Sequence, residues 1–403
     1  MNQRFHRVLF SLPTILAYFA IPIAADHYFE EVLIDHSLPR AYQVALADIN
    51  NDGRPDIAAL GEGEKSFVAW YENPSWQRRP ISGEGTINHI DLAFYDVDRD
   101  GELEVALASD FNISQTTEGG KISWLKRKKD INEPWTIHSI YAEPTTHRLR
   151  WANVNGNGRK ELIVAPIMGV GSVGPEFNQK PIRLLRFEIP NDPEKDIWKM
   201  NVIDETLHIA HGLFVLDLQA GGKDEIYTAA LEGIHLFHMN DNSTWQKQQI
   251  AFGNRKEGEK SGSSEVALGR LNDGQHFFAS IDPWHGNQVA VYTHPQEGPR
   301  FPLQRTVIDD TFQNGHAVGC GDFDGDGDDE IIAGYRGEGY TIYLYDFNRE
   351  TKAWQRNVID RGGVAAQGFA IGDVNQDGKF DFVAAGGTTN NVKLYVNVRN
   401  KQQ

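Results

Sequence analysis

The residues in this chain best suited to chemistry are histidines held in a shared register. His147, His211 and His316 each stand six residues before a copy of a repeated acid- or amide-rich loop, and His89 stands seven before another. His208 lies three residues upstream of His211, and His285 falls in the turn-like stretch DPWHGNQ. Imidazoles gathered from separate segments suit two tasks, binding a transition metal and moving a proton near neutral pH. A lone histidine is ordinarily a hydrogen-bonded structural residue. Several in one register imply a common site.

The loops that set this register have their own chemistry. The clear copies are Asp48, Asn50, Asp52 and Asp56; Asp96, Asp98, Asp100 and Glu104; Asn153, Asn155, Asn157 and Glu161; Asp322, Asp324, Asp326 and Glu330; and Asp373, Asn375, Asp377 and Asp381. Each places oxygen side chains at positions 1, 3, 5 and 9 with glycine at 6. Ca²⁺ takes six to eight oxygen ligands, and glycine allows the chain to turn around it. An EF-hand would flank such a loop with helices and carry glutamate at position 12. Here apolar, β-branched runs flank a loop of about nine residues, so a Ca-binding β-hairpin is expected. Degenerate copies begin at Asp217 and Arg270, where no Ca²⁺ is expected, and the amide-rich Asn153 copy should bind weakly.

First loop positions fall at 48, 96, 153, 217, 270, 322 and 373. A recurrence of about 50 residues is the scale of a propeller blade. Each unit supplies four strands, and the last recurs as IWKMNVID, PLQRTVID and WQRNVID. The final unit lacks that strand, whereas HYFEEVLID at residues 27–35 has no unit of its own. The expected fold is therefore all-β, a seven-bladed β-propeller with Ca-binding hairpin loops, its ring closed by the N-terminal strand. Closure removes exposed sheet edges.

Since the metal loops mark one face, the connections into the first strands lie on the other, together with the turns between second and third strands. The histidines collect there, as do the longest insertions, SDFNISQTTEGG, PIMGVGSVGPEFNQKP and the Arg336-bearing AGYRGEGY. Arg148 and Arg150 flank Leu149, and strand alternation sends His147 and Leu149 one way and the two arginines the other. Tyr42, Trp284 and Gln367 add a polar and aromatic rim suited to sugar.

Residues 1–25 carry Arg4 and Arg7 ahead of an apolar run ending in small residues, which reads as a secretory signal peptide before a propeller over 26–403. The expected protein is extracellular, with no membrane span. A net charge of −17 argues against a nucleic-acid partner. The single cysteine, Cys320, on an innermost strand, reads as a buried structural thiol. The run Lys126–Lys129 reads as a solvated hairpin, and Asn112 and Asn242 head glycosylation sequons.

The repeats resemble the FG-GAP/VCBS calcium-loop propellers over essentially the whole expected mature chain, a likeness that carries fold and not activity. THRLRWANVNGNGRKELIVAPIM, ETLHIAHGLFVLDL and GGKISWL resemble, more narrowly, the propeller domain of fungal aldos-2-ulose dehydratases. That resemblance implies a zinc ion that polarises a keto group and a proton-transferring histidine in a His-Arg-Leu context, here His147. It makes His208, His211, His285 and His316 the candidate ligands of a central divalent metal, Zn²⁺ or Ca²⁺. The cupin and lectin domains of that family have no counterpart in these residues, so any isomerisation step is in doubt.

In size, secretion and single-propeller organisation the chain also resembles the fungal lyases that release L-rhamnose from glucuronate. Both families perform β-elimination. His147 or His89 would be the base, and Arg148, Arg150 or Arg336 would hold a uronate carboxylate.

The leading expectation is a secreted carbohydrate β-elimination lyase acting at D-glucuronate in a plant polysaccharide. The alternatives are an aldos-2-ulose or 1,5-anhydrofructose dehydratase acting on a keto sugar, and a non-catalytic sugar-binding propeller. Two arginines converging on the cleft would favour uronate; a three-histidine site without them would favour a keto sugar. Glycoside hydrolysis finds no clear carboxylate pair, although Asp110, Glu265 and Asp282 stay open.

Overall fold

The computed structural model describes residues 28–257 and 260–399. The expected signal peptide lies outside the described residues. No helix among the described residues is long and apolar enough to cross a membrane.

The described chain forms seven four-stranded antiparallel sheets. The inner strands of blades 1 to 7 are Ala41–Ala47, Asp91–Tyr95, Thr146–Ala152, Gly212–Leu216, Glu265–Arg270, Gly315–Gly321 and Ala366–Gly372. Each inner strand touches the next, and that of blade 7 touches that of blade 1, so the ring is closed. Phe29–Asp35 pairs antiparallel with Asn391–Asn397 and supplies the outer strand of blade 7. Termini far apart in sequence thus share one sheet.

The strand pattern follows from position in a blade. Second strands such as DIAALG, ELIVAP and EIIAGY are buried along their whole length, because each lies between two neighbouring blades. Outer strands such as QRTVID are largely exposed, with their final aspartate buried. Trp70 and Trp124 fill the gaps between successive blades, fully buried.

The recurrent VID ending has a specific function. In three outer strands its aspartate accepts the hydroxyl of a tyrosine on the third strand of the next blade, whereas Asp204 accepts from Thr206 and Lys247 instead. Tyr71 Oη stands 2.7 Å from Asp35 Oδ2, Tyr345 Oη 2.7 Å from Asp309 Oδ2, and Tyr395 Oη 2.5 Å from Asp360 Oδ2. Arg78, Arg356 and Lys393 complete the three sets. Buried hydroxyl and carboxylate satisfy one another, so each junction is stitched without a disulfide.

Candidate functional site

Seven positions, each six residues before its loop, surround the mouth of the axis: Tyr42, Ile90, His147, His211, Ser264, His316 and Gln367. The pairing with the second strand shifts at Tyr42, His147, His316 and Gln367, so each is the extra residue of a β-bulge. A bulge sets two residues opposite one and re-aims the first. This overturns the simple alternation expected around His147. His147 and Arg148 both turn to the axis, and Arg148 Nη1 stands 3.3 Å from His147 Nε2.

Tyr42 Oη lies 2.9 Å from His147 Nε2 and 3.2 Å from His316 Nε2. His285, from the turn between the second and third strands of blade 5, stands with Nε2 3.2 Å from His211 Nε2. His316 Nδ1 donates to the Gln367 carbonyl at 2.5 Å, which leaves Nε2 as the open nitrogen. Nitrogens of His211, His285 and His316 all fall within 4.8 Å of one another.

Burial, reinforced by Arg336 and neighbouring imidazoles, holds His285 and His316 well below the usual histidine pKa. Burial followed by Arg148 does the same to His147, and burial lowers His211. Neutral, convergent imidazoles with an open nitrogen fit a transition metal, and zinc prefers such donors.

A second layer sits one residue further along each strand. Arg148 Nη2 donates to Glu265 Oε1 at 2.5 Å, and His211 Nδ1 stands 2.9 Å from the same oxygen, outside good hydrogen-bond geometry. Burial pushes the Glu265 carboxyl up, but Arg148 and His211 pull it further, down to about 2. Arg150 Nη1 pairs with Asp91 Oδ2 at 2.8 Å. This layer roofs a channel cavity of about 240 Å³ that Cys320 also lines. The thiol is partly exposed, and burial among its neighbours pushes its pKa well up.

Above lies a cup of about 490 Å³. Its floor is Tyr42, His147, His211 and His285. One wall is apolar, with Ile90, Phe111, Ile113 and Ile167; the other is polar, with Arg336, Gln367, Asn314 and Asn390. The insertions expected on this face do line it, through Phe111, Ile113 and Arg336.

Three expected residues lie elsewhere. His89, one residue out of the shared register, is fully buried, with Nε2 3.1 Å from Thr86 Oγ1 and Nδ1 3.4 Å from Ser66 Oγ, and Ile90 takes its place at the cup. His208 Nδ1 pairs with Glu232 Oε1 at 2.7 Å, away from the three-histidine cluster. Trp284 packs behind His285, ring centroids 4.8 Å apart, with Lys260 over its face. Asp282 is likewise structural, bonded to Tyr292, Ser280 and Arg305. Glu265 and Gln43 complete the second layer. Their signal was adjacency, since each follows a ring position.

The hairpin loops differ among themselves. Oxygens of Asp96, Asp98 and Glu104, and of Asp322, Asp324 and Glu330, converge within 4.8 Å. Asp96 Oδ1 and Glu330 Oε1 are buried without a hydrogen-bond partner, which fits a cation. In blades 1 and 7 the ninth residue is the shorter aspartate, and Asp56 and Asp381 spend both oxygens on backbone N–H groups. In blade 3 Glu161 faces Arg186 and Asn155 instead. Lys126, expected in a solvated run, sits against Asp98 and 2.8 Å from Asp100.

A family model described as the β-propeller domain of aldos-2-ulose dehydratase matches residues 119–295, and an FG-GAP-like repeat model matches 39–107 and 322–384. The aldos-2-ulose dehydratase of Phanerodontia chrysosporium is 27% identical over 375 residues, covering 84% of this chain. This is a seven-bladed FG-GAP-like propeller related to the aldos-2-ulose dehydratase propellers. The chain spans 40% of that relative's length.

Within this dehydratase-related propeller, the first match contains His147, Arg148, His211, Glu265 and His285, whereas Tyr42, His316, Arg336 and Gln367 come from flanking blades. A solved lectin of Agrocybe aegerita, described as specifically recognising non-reducing terminal N-acetylglucosamine, aligns at TM-score 0.50 and 15% identity over 81% of each chain. That likeness shows the fold.

Proposed function

We propose that the protein is an enzyme that eliminates water from a keto sugar of the aldos-2-ulose type. The observation that carries this reading is the cluster of His211, His285 and His316, of which His211 and His285 lie beside the Tyr42–His147 pair at the floor of one cup while His316 faces the channel cavity beneath. The arginine criterion points the same way. Arg148 and Arg150 are already paired with Glu265 and Asp91, and Arg40 on the rim is paired with Glu62, leaving Arg336 as the cup arginine without an acidic partner among the described residues. Two unpaired arginines converging on a uronate carboxylate are therefore not found among the described residues, and the glucuronate lyase takes second place.

His211, His285 and His316 would hold a divalent cation, zinc by donor type, which when bound supplies a Lewis acid for a carbonyl oxygen. The chain's own groups account for the rest. The wall of Ile90, Phe111, Ile113 and Ile167 covers one face of the sugar and excludes water. Gln367, Asn314, Asn390 and Arg336 offer hydrogen bonds to its hydroxyls.

Arg148 donates to His147 Nε2, so that nitrogen is unprotonated and faces Tyr42 Oη. A proton taken from the carbon next to the carbonyl passes through Tyr42 Oη to His147 Nε2. The C–H electron pair forms the new C=C bond, the C–O bond beyond it breaks, and the returned proton leaves with the hydroxyl as water.

The test is ultraviolet absorbance of the conjugated product when purified protein meets 1,5-anhydrofructose, with zinc or with chelator. Zinc-dependent growth of absorbance that His147→Gln abolishes is the expected result. A flat trace on keto sugars with absorbance growing on glucuronate gums would move the assignment to the lyase. Silence on both overturns the enzyme.

A further inference from the structure

Glu265 opens the inner strand of blade 5, one residue after the small ring residue Ser264. It reaches sideways across two blades. The single oxygen Oε1 accepts Arg148 Nη2 of blade 3 at 2.5 Å and stands 2.9 Å from His211 Nδ1 of blade 4. We infer that Glu265 is the positioning residue that ties the histidine cluster to the proton-transfer pair, by fixing His211 and Arg148 together through one carboxylate oxygen. The inference rests on the reading that His211, His285 and His316 hold a divalent cation.

The arrangement behind the cluster supports this. A carboxylate charge 2.9 Å from Nδ1 electrostatically favours the proton of His211 on that nitrogen, and Nε2 stands toward His285, 3.2 Å away. His316 is held at the same ring nitrogen by a hydrogen bond, Nδ1 to the Gln367 carbonyl. Groups of this kind behind histidine ligands orient the ring and raise its basicity.

Glu265 also answers a need of Arg148. That guanidinium is 2% exposed and would be strongly destabilising without a counter-charge. With its Nη2 anchored, its Nη1 is aimed at His147 Nε2, 3.3 Å away. One acid therefore sets both the tautomer of a cluster histidine and the hydrogen bond that keeps the Tyr42–His147 pair aligned.

Blade packing has made room for the contact. A Cβ at Gly212, the residue after His211, would lie 2.6 Å from the Ser264 carbonyl oxygen and 3.3 Å from Glu265 Cα. Any larger residue at 212 pushes the two inner strands apart at the point where Glu265 must reach His211. Glycine here serves close approach and not a special backbone angle.

The test is zinc affinity of metal-stripped full-length protein by chelator competition, for wild type and Glu265→Gln, with kcat and KM measured separately on 1,5-anhydrofructose. The substitution keeps shape and removes charge. Expected are a 10- to 100-fold loss of zinc affinity and a fall in kcat, with KM changed by less than about threefold because Glu265 does not line the cup.

Unchanged zinc affinity and kcat in a folded Glu265→Gln protein overturn the inference while leaving the proposed function standing. Wild type that binds no zinc overturns both. Should Glu265→Gln fail to fold because Arg148 is left unpaired, the double variant Glu265→Gln/Arg148→Gln removes both charges, and its zinc affinity decides in the same way.

Discussion

Tyr42 Oη and His147 Nε2 meet at 2.9 Å although they are 105 residues apart, on the inner strands of blades 1 and 3. Neither strand adjoins the other. The two meet because each is a bulge residue at the same height in its own blade, where the ring narrows to the axis.

Loss of the hydroxyl should therefore be felt in rate more than in stability. Tyr42→Phe is expected to lower kcat on 1,5-anhydrofructose by roughly 10²- to 10⁴-fold, the range of a lost proton-transfer group. The fold should lose only about 1 kcal/mol from a missing buried hydrogen bond. Steady-state kinetics beside urea unfolding would check this, and a variant with wild-type kcat would remove Tyr42 from the proton path.

The three-histidine cluster predicts a stoichiometry and a stability change. Stripped protein titrated with zinc should take up one tightly held ion per chain at this site, with a rise in Tm, because a ligand that binds only the native state stabilises it. His285→Ala should abolish both while leaving the metal-free Tm close to wild type, since His285 sits in a turn and not in a strand. An equal zinc-induced Tm rise in that variant would sink the cluster as a metal centre.

The blade number and the N-terminal closure were legible because they rest on spacing and on one displaced strand phrase, and both are topological. The ring was half legible. His147, His211 and His316 share the six-residue offset, and Tyr42 and Gln367 share it too, but no common residue type marks the position. His89 misled by a single residue, enough to turn it from the cup into the blade 1–2 packing.

The bulge at His147 was hidden, since alternation assumes regular pairing and no residue type announces a bulge. The Arg148–Glu265 pair was hidden more deeply: its partners are 117 residues apart, and only the closed ring brings them together. At the ninth loop position Glu104 and Glu330 give one oxygen to a backbone N–H and keep the other for the loop, whereas the shorter Asp56 and Asp381 spend both on backbone N–H groups.

The Asp309–Tyr345 stitch should lose part of its stabilising contribution at acid pH. Burial raises Asp309, but hydrogen bonds from Thr311, Tyr345 and Arg356 outweigh it and leave the carboxyl below its ordinary value. A depressed carboxyl contributes stability that is present above the unfolded value of about 3.9 and is lost as pH falls through the folded one. Tyr345→Phe should cost about 1–2 kcal/mol at pH 7, and less at pH 3. Urea unfolding at the two pH values measures it, and an equal cost at both would contradict the charge-assisted bond.

Calcium is the expected occupant of the blade 2 and blade 6 loops, where three carboxylates converge. Adding Ca²⁺ should raise Tm, and Asp322→Ala should remove part of that rise. Asp381→Asn in blade 7 should instead lower Tm without changing the calcium response, because both of its oxygens hold backbone N–H groups. Differential scanning fluorimetry separates the two, and identical behaviour would show that blade 7 binds as blade 6 does.

His89 supplies the last prediction, and its sign is opposite to that of a salt-bridged histidine. Burial outweighs its backbone hydrogen bonds and holds its pKa down at about 4, against about 6.5 in the unfolded chain. The unfolded state therefore takes up the proton first. Stability is complete above pH 6.5, falls as pH drops from 6.5 toward 4, and falls no further from this group below 4. At pH 5 the loss amounts to about 2 kcal/mol. His235, pushed to about 4 by burial and then by Lys247, adds a similar slope.

His89→Gln offers Thr86 and Ser66 a polar partner that does not titrate. It should flatten the decline of unfolding free energy between pH 6.5 and 4 by one proton's worth, with no change in zinc affinity. An unaltered slope would mean that His89 is already charged in the folded protein, and the hydroxyls of Thr86 and Ser66 would then have to be its acceptors.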